Sequence, residues 1–424
     1  MDSRFDFIYF FTSLETSLET SIYMDKKTFK YHERIVNYWE HLTCEIVPKK
    51  EERSNKFIYF YKSRWKKDAL VQDNSVEYIC IPNLNNPRWL IRNDKNMIKN
   101  HGLIVKPTSF KAKLVWMIAK ALNNVSLFTV VFPQRMLVQN ISLEENMRDK
   151  KDEIASIIYT GASGQFQKFT IQFINEEYRI QSFLKLGTRK DAIERIENEE
   201  KALRYLGKQT FQTMVVPQLL ETIVNEKFYG IVQSNILDKN IMDFSLNSLD
   251  IQVMNELYLL SDIVQTTVSL YCLKLFEELS QESILESFKI FLEDIKDEKI
   301  NLVLSHGDYI PWNRFVDQTK IKVIDWEMYA YRPIFYDIYF YMFHKEILLD
   351  QSEIESFFTK SLNYFTQTYN VEYNERTKNI YLLVISLEVY VHYRKNNETS
   401  DEKILKLLLK NIRFLENKIK GEHT

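Results

Sequence analysis

The stretch Ser305–Phe315, SHGDYIPWNRF, is followed after a short polar gap by Lys322–Tyr341, KVIDWEMYAYRPIFYDIYFY. An aspartate and an asparagine, Asp308 and Asn313, stand five residues apart in one loop, and a second aspartate, Asp325, ends the apolar run IKVID. These groups divide a chemical task among them. A loop carboxylate can accept or orient a hydroxyl proton, whereas an amide oxygen and a strand-end carboxylate are oxygen donors suited to Mg2+. Phosphoryl transfer from a nucleotide needs those parts, together with a cation on the α- and β-phosphates.

Composition sets the outer bounds. A chain of 424 residues is long enough for two or three domains. Lys and Arg number 56 against 58 Asp and Glu, a formal net charge of −2, which supplies no global attraction for nucleic acid or an anionic membrane. With a pI near 6.4 and no basic stripe interleaved with aromatics, a nucleic-acid partner is not expected. The three cysteines, Cys44, Cys80 and Cys272, are far apart and lack metal-ligand spacing, so a reducing, cytoplasmic setting is the expectation. The amino-terminal residues show no signal-peptide pattern. The two longest apolar stretches, Leu114–Phe132 and Ile380–Tyr393, are interrupted or too short to span a bilayer and read as buried core rather than transmembrane segments.

Three regions follow from the patterning. Residues 1–150 mix strand signals (Lys56–Lys62, Val76–Pro82) with a helix after Pro107, as an α+β module would. Its loop Pro82–Trp89 could present the cation and aromatic face of Arg88 and Trp89 to a ligand, but reads more readily as a structural turn anchored by a packed tryptophan. The charge-rich segment Ser142–Glu153 marks the main boundary. Residues 151–236 alternate strand and turn and then form a helix with Ile193, Ile196, Leu203 and Leu206 at helical spacing, a small β-rich lobe. Residues 237–424 are mostly helical, with helices expected over Asp250–Phe276, Glu282–Asp297, Asp337–Leu349, Ser352–Tyr369, Thr377–Lys395 and Asp401–Lys418.

HGDYIPWN resembles the His-Gly-Asp-four-Asn catalytic loop of the aminoglycoside phosphotransferase and choline kinase family, and VIDWE resembles the metal-binding motif that follows it. RPIFYD is similar to the family's Pro-x-x-x-Asp segment, which makes Asp337 a structural aspartate holding the catalytic loop. Trp312 and Trp326 are similar to the Pro-Trp-Asn and Asp-Trp-Glu of bacterial relatives in polysaccharide assembly. The resemblance implies a bilobal protein-kinase-like α+β fold: a small antiparallel β lobe and a large α-helical lobe, preceded here by the extra module. It implies Asp308 as the catalytic residue, Asn313 and Asp325 as Mg2+ ligands, and ATP or GTP as co-substrate.

A kinase of this kind also needs a phosphate loop, a strand lysine and a helix glutamate upstream. The turn TGASGQ could bring the backbone of Ala162, Ser163 and Gly164 to phosphates, and Lys185 lies inside an apolar strand where an unpaired ammonium would be costly. Glu199 and Glu200 both lie about 50° from the centre of the helix stripe, so geometry leaves the lysine's partner open. The family's glutamate-to-leucine spacing matches Glu199, Leu203 and Leu206. Gln233 and Asn235 fall in the connector where the resemblance puts contacts to adenine. His306 has no second histidine at ligand spacing and reads as a loop-shaping residue, and Glu327 is open between water-mediated metal contact and loop anchoring. Aromatics between Glu327 and Phe343 could cage a cationic acceptor, although such tyrosine-rich helices are more often core. The function implied is Mg2+-dependent phosphorylation of a hydroxyl on a sugar, aminosugar or amino alcohol. The alternative is a catalytically silent scaffold that binds nucleotide or glycan while the amino-terminal module recruits a protein partner.

Overall fold

The computed structural model describes residues 58–62, 75–81, 89–94, 132, 134–139, 154–160, 166–224, 228–237, 244–277, 292–369, 372–395 and 402–421. Of the sequence expectations, the helix after Pro107, the turn Ala162–Gly164 and most of Glu282–Asp297 lie outside these residues. The chain divides into two compact units, Met1–Ile196 with Leu220–Asn235, and Glu197–Leu219 with Ile236–Thr424.

The first unit is built on one nine-stranded sheet. Its strands are β1 (Ile58–Lys62), β2 (Ser75–Ile81), β3 (Trp89–Arg92), β4 (Gln134–Gln139), β5 (Ile154–Tyr159), β6 (Lys168–Ile174), β7 (Ile180–Gly187), β9 (Leu219–Val224) and β10 (Tyr229–Ser234), in the order β1-β4-β2-β3-β5-β6-β7-β10-β9. The boundary expected near residue 150 falls between β4 and β5, which are both strands of this sheet, and β3 pairs antiparallel with β5 through Leu90 and Ile158. Ile79, Ile81, Ile91, Phe132 and Ile157 form a buried cluster against which Trp89 packs. Trp89 is partly buried, its ring 5.9 Å from that of Tyr159, while residues 82–88 of the turn that the sequence suggests lie outside the described residues.

Helix α1 (Lys190–Leu206) opens in the first unit and continues into the second. It begins close against the sheet at Gly187, where a Cβ would lie 3.0 Å from the carbonyl carbon of Ala192. Arg195 covers the ring of Phe166 at 3.6 Å.

Two three-stranded sheets and a set of helices make the second unit. One sheet runs β11 (Val264–Thr267), β12 (Lys299–Ser305), β15 (Ala330–Pro333); the other runs β13 (Arg314–Asp317), β14 (Lys320–Val323), β8 (Met214–Val215). The helices are α2 (Ser248–Leu260), α3 (Val268–Glu277), α4 (Tyr336–Met342), continued by a π-helical turn over Phe343–Leu349, then α5 (Ile354–Gln367), α6 (Glu375–Lys395) and α7 (Glu402–Lys420). The single helix expected over Asp250–Phe276 is instead two helices with β11 between them. Ser261 turns extended at ψ 130°, its hydroxyl donates to Leu257 O at 2.7 Å and accepts from Leu304 N, and the β-branched run after it pairs with β12. Tertiary pairing overrides helical propensity there. The residues from Ile380 to Val391 on α6 are all buried, as its apolar composition suggests. No described helix is long and apolar enough to cross a membrane.

The tyrosine-rich segment is core: Phe335, Tyr336, Tyr339, Phe340, Tyr341 and Phe343 are all buried. Those six rings serve as packing, whereas Tyr331 of the same segment is exposed. Beneath them lies a buried ion pair. Arg314 donates from Nη2 to Asp250 Oδ2 at 2.8 Å, and its Nε lies 2.6 Å from Oδ1, with neither side chain exposed. Tyr309 donates to Asp250 Oδ1 at 2.7 Å. Asp250 also completes the capping box of α2 by accepting from Asn247 N at 2.8 Å, while Asn247 Oδ1 accepts from Leu249 N. Burial pushes the Asp250 carboxyl up, and Arg314 pulls it back.

Removing one member of such a pair strands a charge out of water. Asp250→Ala is therefore expected to cost about 3–5 kcal/mol in urea unfolding, and Asp250→Asn, which keeps an acceptor oxygen, less.

Candidate active site

The site is assembled by sheet register. Ser305, the last residue of β12, pairs with Ala330, the first of β15, so the segment from His306 to Asn313 starts where the segment from Ile324 to Tyr329 ends. The hairpin β13–β14 closes the other end, with Arg314 opposite Val323 and Ile324 N donating to Asn313 O at 3.0 Å. Backbone pairing thus sets the two segments that carry Asp308, Asn313 and Asp325 alongside each other.

The loop is then fixed by Asp337 at the start of α4. Its carboxylate accepts from His306 N and from Gly307 N, each at 2.8 Å. Burial pushes this carboxyl up to about 6, against the two amides and the Arg332 guanidinium, which lower it. Gly307 has φ +81°, and a Cβ there would meet Met328 O at 2.2 Å. Only glycine fits this turn.

His306 ties the two motifs together. Its Nδ1 accepts from Asp308 N at 3.1 Å, which makes Nε2 the protonated nitrogen, donating to Ile324 O at 2.9 Å. The ring also packs on Trp326, centroids 4.5 Å apart. This is the loop-shaping role the sequence suggests. Trp326 is fully buried and donates to Val323 O at 3.1 Å, which closes the turn in which Asp325 adopts φ 68° and ψ 57°. A left-handed conformation at a residue other than glycine is strained, and such residues concentrate at functional sites.

Asn313 donates from Nδ2 to Asp308 O at 3.0 Å and to Asp308 Oδ2 at 2.9 Å. Its amide oxygen, the one side-chain atom able to meet a cation, therefore points away from Asp308. Asp325 stands with two further carboxylates: oxygen atoms of Glu199, Asp325 and Glu327 lie within 4.8 Å of one another, with Glu199 and Glu327 buried. Like charges at such a separation repel by about 3.5 kcal/mol per pair at an effective dielectric near 20. A hard divalent cation relieves that repulsion, and an all-oxygen donor set suits it.

Glu199 and Glu200 have different surroundings. Glu200 accepts from Arg204 Nε at 2.7 Å, one turn along α1, whereas Glu199 is fully buried beside Asp325 and Glu327. In the first unit, Lys185 is buried on β7, paired in register with Thr170 of β6 and Ile231 of β10. Gln233 is buried at the end of β10 opposite Phe183, and Asn235 donates from Nδ2 to Ile180 O at 3.1 Å. Ala162, Ser163 and Gly164 lie outside the described residues.

Sequence reasoning missed Asn198, Asp250 and Arg314. The cap pattern Asn247-x-x-Asp250 was a readable signal for Asp250. Nothing local marks Asn198 or Arg314, whose partners Glu327 and Asp250 are each more than sixty residues away.

The pH dependence of Asp337 has a definite sign. Its folded value, about 6, lies above the ordinary 3.8, so the folded chain binds this proton more tightly and stability is lost as pH rises through that window. Two units correspond to about 3 kcal/mol. Wild-type unfolding free energy minus that of Asp337→Asn is expected to fall by that order between pH 4 and 6 and to stay level above it.

Residues 255–360 match the model of the phosphotransferase enzyme family. No curated protein sequence matches. Among solved structures, the GDP complex of an aminoglycoside 2'-phosphotransferase is 13% identical at a TM-score of 0.42, covering 65% of this chain and 96% of that one. Choline kinase from Cryptosporidium parvum is 14% identical at 0.41, covering 62% and 90%. An aminoglycoside phosphotransferase from Streptomyces rimosus is 14% identical at 0.37, covering 58% and 97%. The family match takes in both motifs, from His306 to Asn313 and from Lys322 to Tyr341, and over these residues the chain is similar to the phosphotransferase enzyme family.

Proposed function

We propose that this protein is a small-molecule kinase that transfers the γ-phosphate of ATP or GTP to a hydroxyl of a sugar, aminosugar or amino alcohol. One observation carries the reading: Asp308, Asn313 and Asp325 are locked together by Asp337, His306 and the β13–β14 register inside the segment that matches the phosphotransferase family. In this reading Asp308 orients the acceptor hydroxyl and takes its proton as the phosphorus–oxygen bond forms. Asn313 and Asp325, with Glu327 and Glu199 beside them, hold Mg2+. That ion supplies charge neutralisation on the β- and γ-phosphate oxygens. Lys185 and the turn Ala162–Gly164 hold phosphates, and Gln233 and Asn235 hold the base. Residues 151–236 and 237–424 are the two kinase lobes in this proposal, and 1–150 an accessory region.

A saccharide acceptor is favoured by analogy with the Pro-Trp-Asn relatives in polysaccharide assembly, and a purified-enzyme panel of saccharides, aminoglycosides and choline decides it. Phosphorylation of choline alone would remove the saccharide choice. The rival reading, a silent scaffold, gives no use to a loop carboxylate and a left-handed strand-end aspartate on segments that His306 ties together.

Melting of the wild type with Mg2+ and nucleotide at about 100 times Kd is expected to show stabilisation of ~2.7 kcal/mol. Asp325→Ala is expected to lose the Mg2+-dependent part of it. Asp308→Asn is expected to keep nucleotide stabilisation while transfer falls by at least about a hundredfold, the lower range for a lost general base. Equal loss of binding and transfer in Asp308→Asn contradicts its assigned role.

A further inference from the structure

Asn198 precedes Glu199 on α1, and its side chain does something distinct. Nδ2 donates to Glu327 O at 2.9 Å and to Tyr329 O at 2.8 Å. These two carbonyls belong to the one-turn 3-10 helix Trp326–Met328 and the residue that ends it. Carbonyls at the end of such a turn have no partner within it and must find one elsewhere. Between them, Met328 O accepts from Arg332 Nη2 at 3.3 Å. Three successive carbonyls after Asp325 are thus held by side chains.

We propose that Asn198 is a positioning residue that fixes the spacing of Glu199 against Asp325 and Glu327, and through it the affinity of the site for a divalent cation. The inference rests on the kinase reading of that site. Its geometry is short-range: one helix residue grips the backbone of the turn that carries Asp325 and Glu327, and the very next residue supplies the third carboxylate, within 4.8 Å of both. A slip of α1 along the turn would change that spacing, and the two bonds from one amide oppose it. The amide uses both of its hydrogens on the turn, so a hydroxyl or a methyl cannot replace it in full.

The test is the Mg2+ midpoint of ATP-dependent thermal stabilisation, measured in the full chain for wild type, Asn198→Ala, Asn198→Ser and the exposed control Lys201→Ala. Loss of a group that orients metal ligands typically weakens metal binding by about 10–100-fold. Asn198→Ala is expected to raise the midpoint at least about tenfold, Asn198→Ser, which keeps one donor, less, and Lys201→Ala not at all. A purely structural role would lower the melting temperature without ligand and leave the Mg2+ midpoint in place. A midpoint for folded Asn198→Ala within about twofold of wild type, against the tenfold expected, overturns the proposal while leaving the kinase reading intact. Should that variant not fold, Asn198→Ser decides on the same midpoint, with a rise of about threefold or more as support and none as refutation. If wild type itself shows no Mg2+-dependent response to ATP, the kinase reading fails and the clamp falls with it.

Discussion

A single buried carboxylate holds the site in shape. Asp337 is excluded from water, and its two oxygens each take a backbone amide, from His306 and Gly307 in succession. Burying a carboxylate is costly unless its lone pairs are filled. Two charge-assisted bonds at 2.8 Å and the nearby Arg332 offset much of that cost without abolishing it, which is why the group remains harder to ionise than an exposed aspartate. The conformation that presents two consecutive amides to one carboxylate is the one that needs a left-handed Gly307, and Asp308 follows directly from it.

From this anchor the order propagates through neutral groups. His306, fixed at its amide, uses one ring nitrogen inside its own loop and the other on Ile324. The Ile324 peptide is consequently gripped on both sides, with its N–H on Asn313 and its carbonyl on His306. Asp325 follows it with no slack and takes a strained backbone conformation that Trp326 locks from below. The loop that carries the proposed base and the turn that carries the proposed metal ligand are therefore joined by direct hydrogen bonds. In phosphoryl transfer, where positioning supplies much of the catalysis, that connection is the useful property.

Much of this was legible in the sequence because it is local. The spacing of Asp308 and Asn313, the apolar strand before Asp325, the glycine at 307 and the aspartate at 337 all sit within about thirty residues and keep their order in space. Strands at Ile58–Lys62 and Ser75–Ile81 and the helices from α5 to α7 likewise follow from periodicity. What was illegible depends on distant partners. β11 was hidden in a helical pattern because only pairing with β12 makes it a strand. β3 pairs with β5 across the charged stretch that separates them in sequence, a pairing that no local pattern announces. Glu199 and Glu200 were indistinguishable by angle on the helix, yet one lies among carboxylates and the other on Arg204.

The Arg314–Asp250 pair shows why the carboxylates and amides above it can be placed so closely. Arg314 adjoins Asn313, and Tyr309 adjoins Asp308; both reach down to the same aspartate at the start of α2. Replacing a buried pair of this kind with apolar side chains is often neutral or favourable to stability. Its value therefore lies in direction: an ion pair and a phenol on one carboxylate define where two loop residues sit far more narrowly than apolar packing would. Asp337 holds the loop at His306 and Gly307, and Asp250 holds it again at Tyr309 and Arg314. Asp308 lies between the anchored Gly307 and Tyr309, and Asn313 adjoins the anchored Arg314, so their shared hydrogen bond spans a loop pinned from two sides.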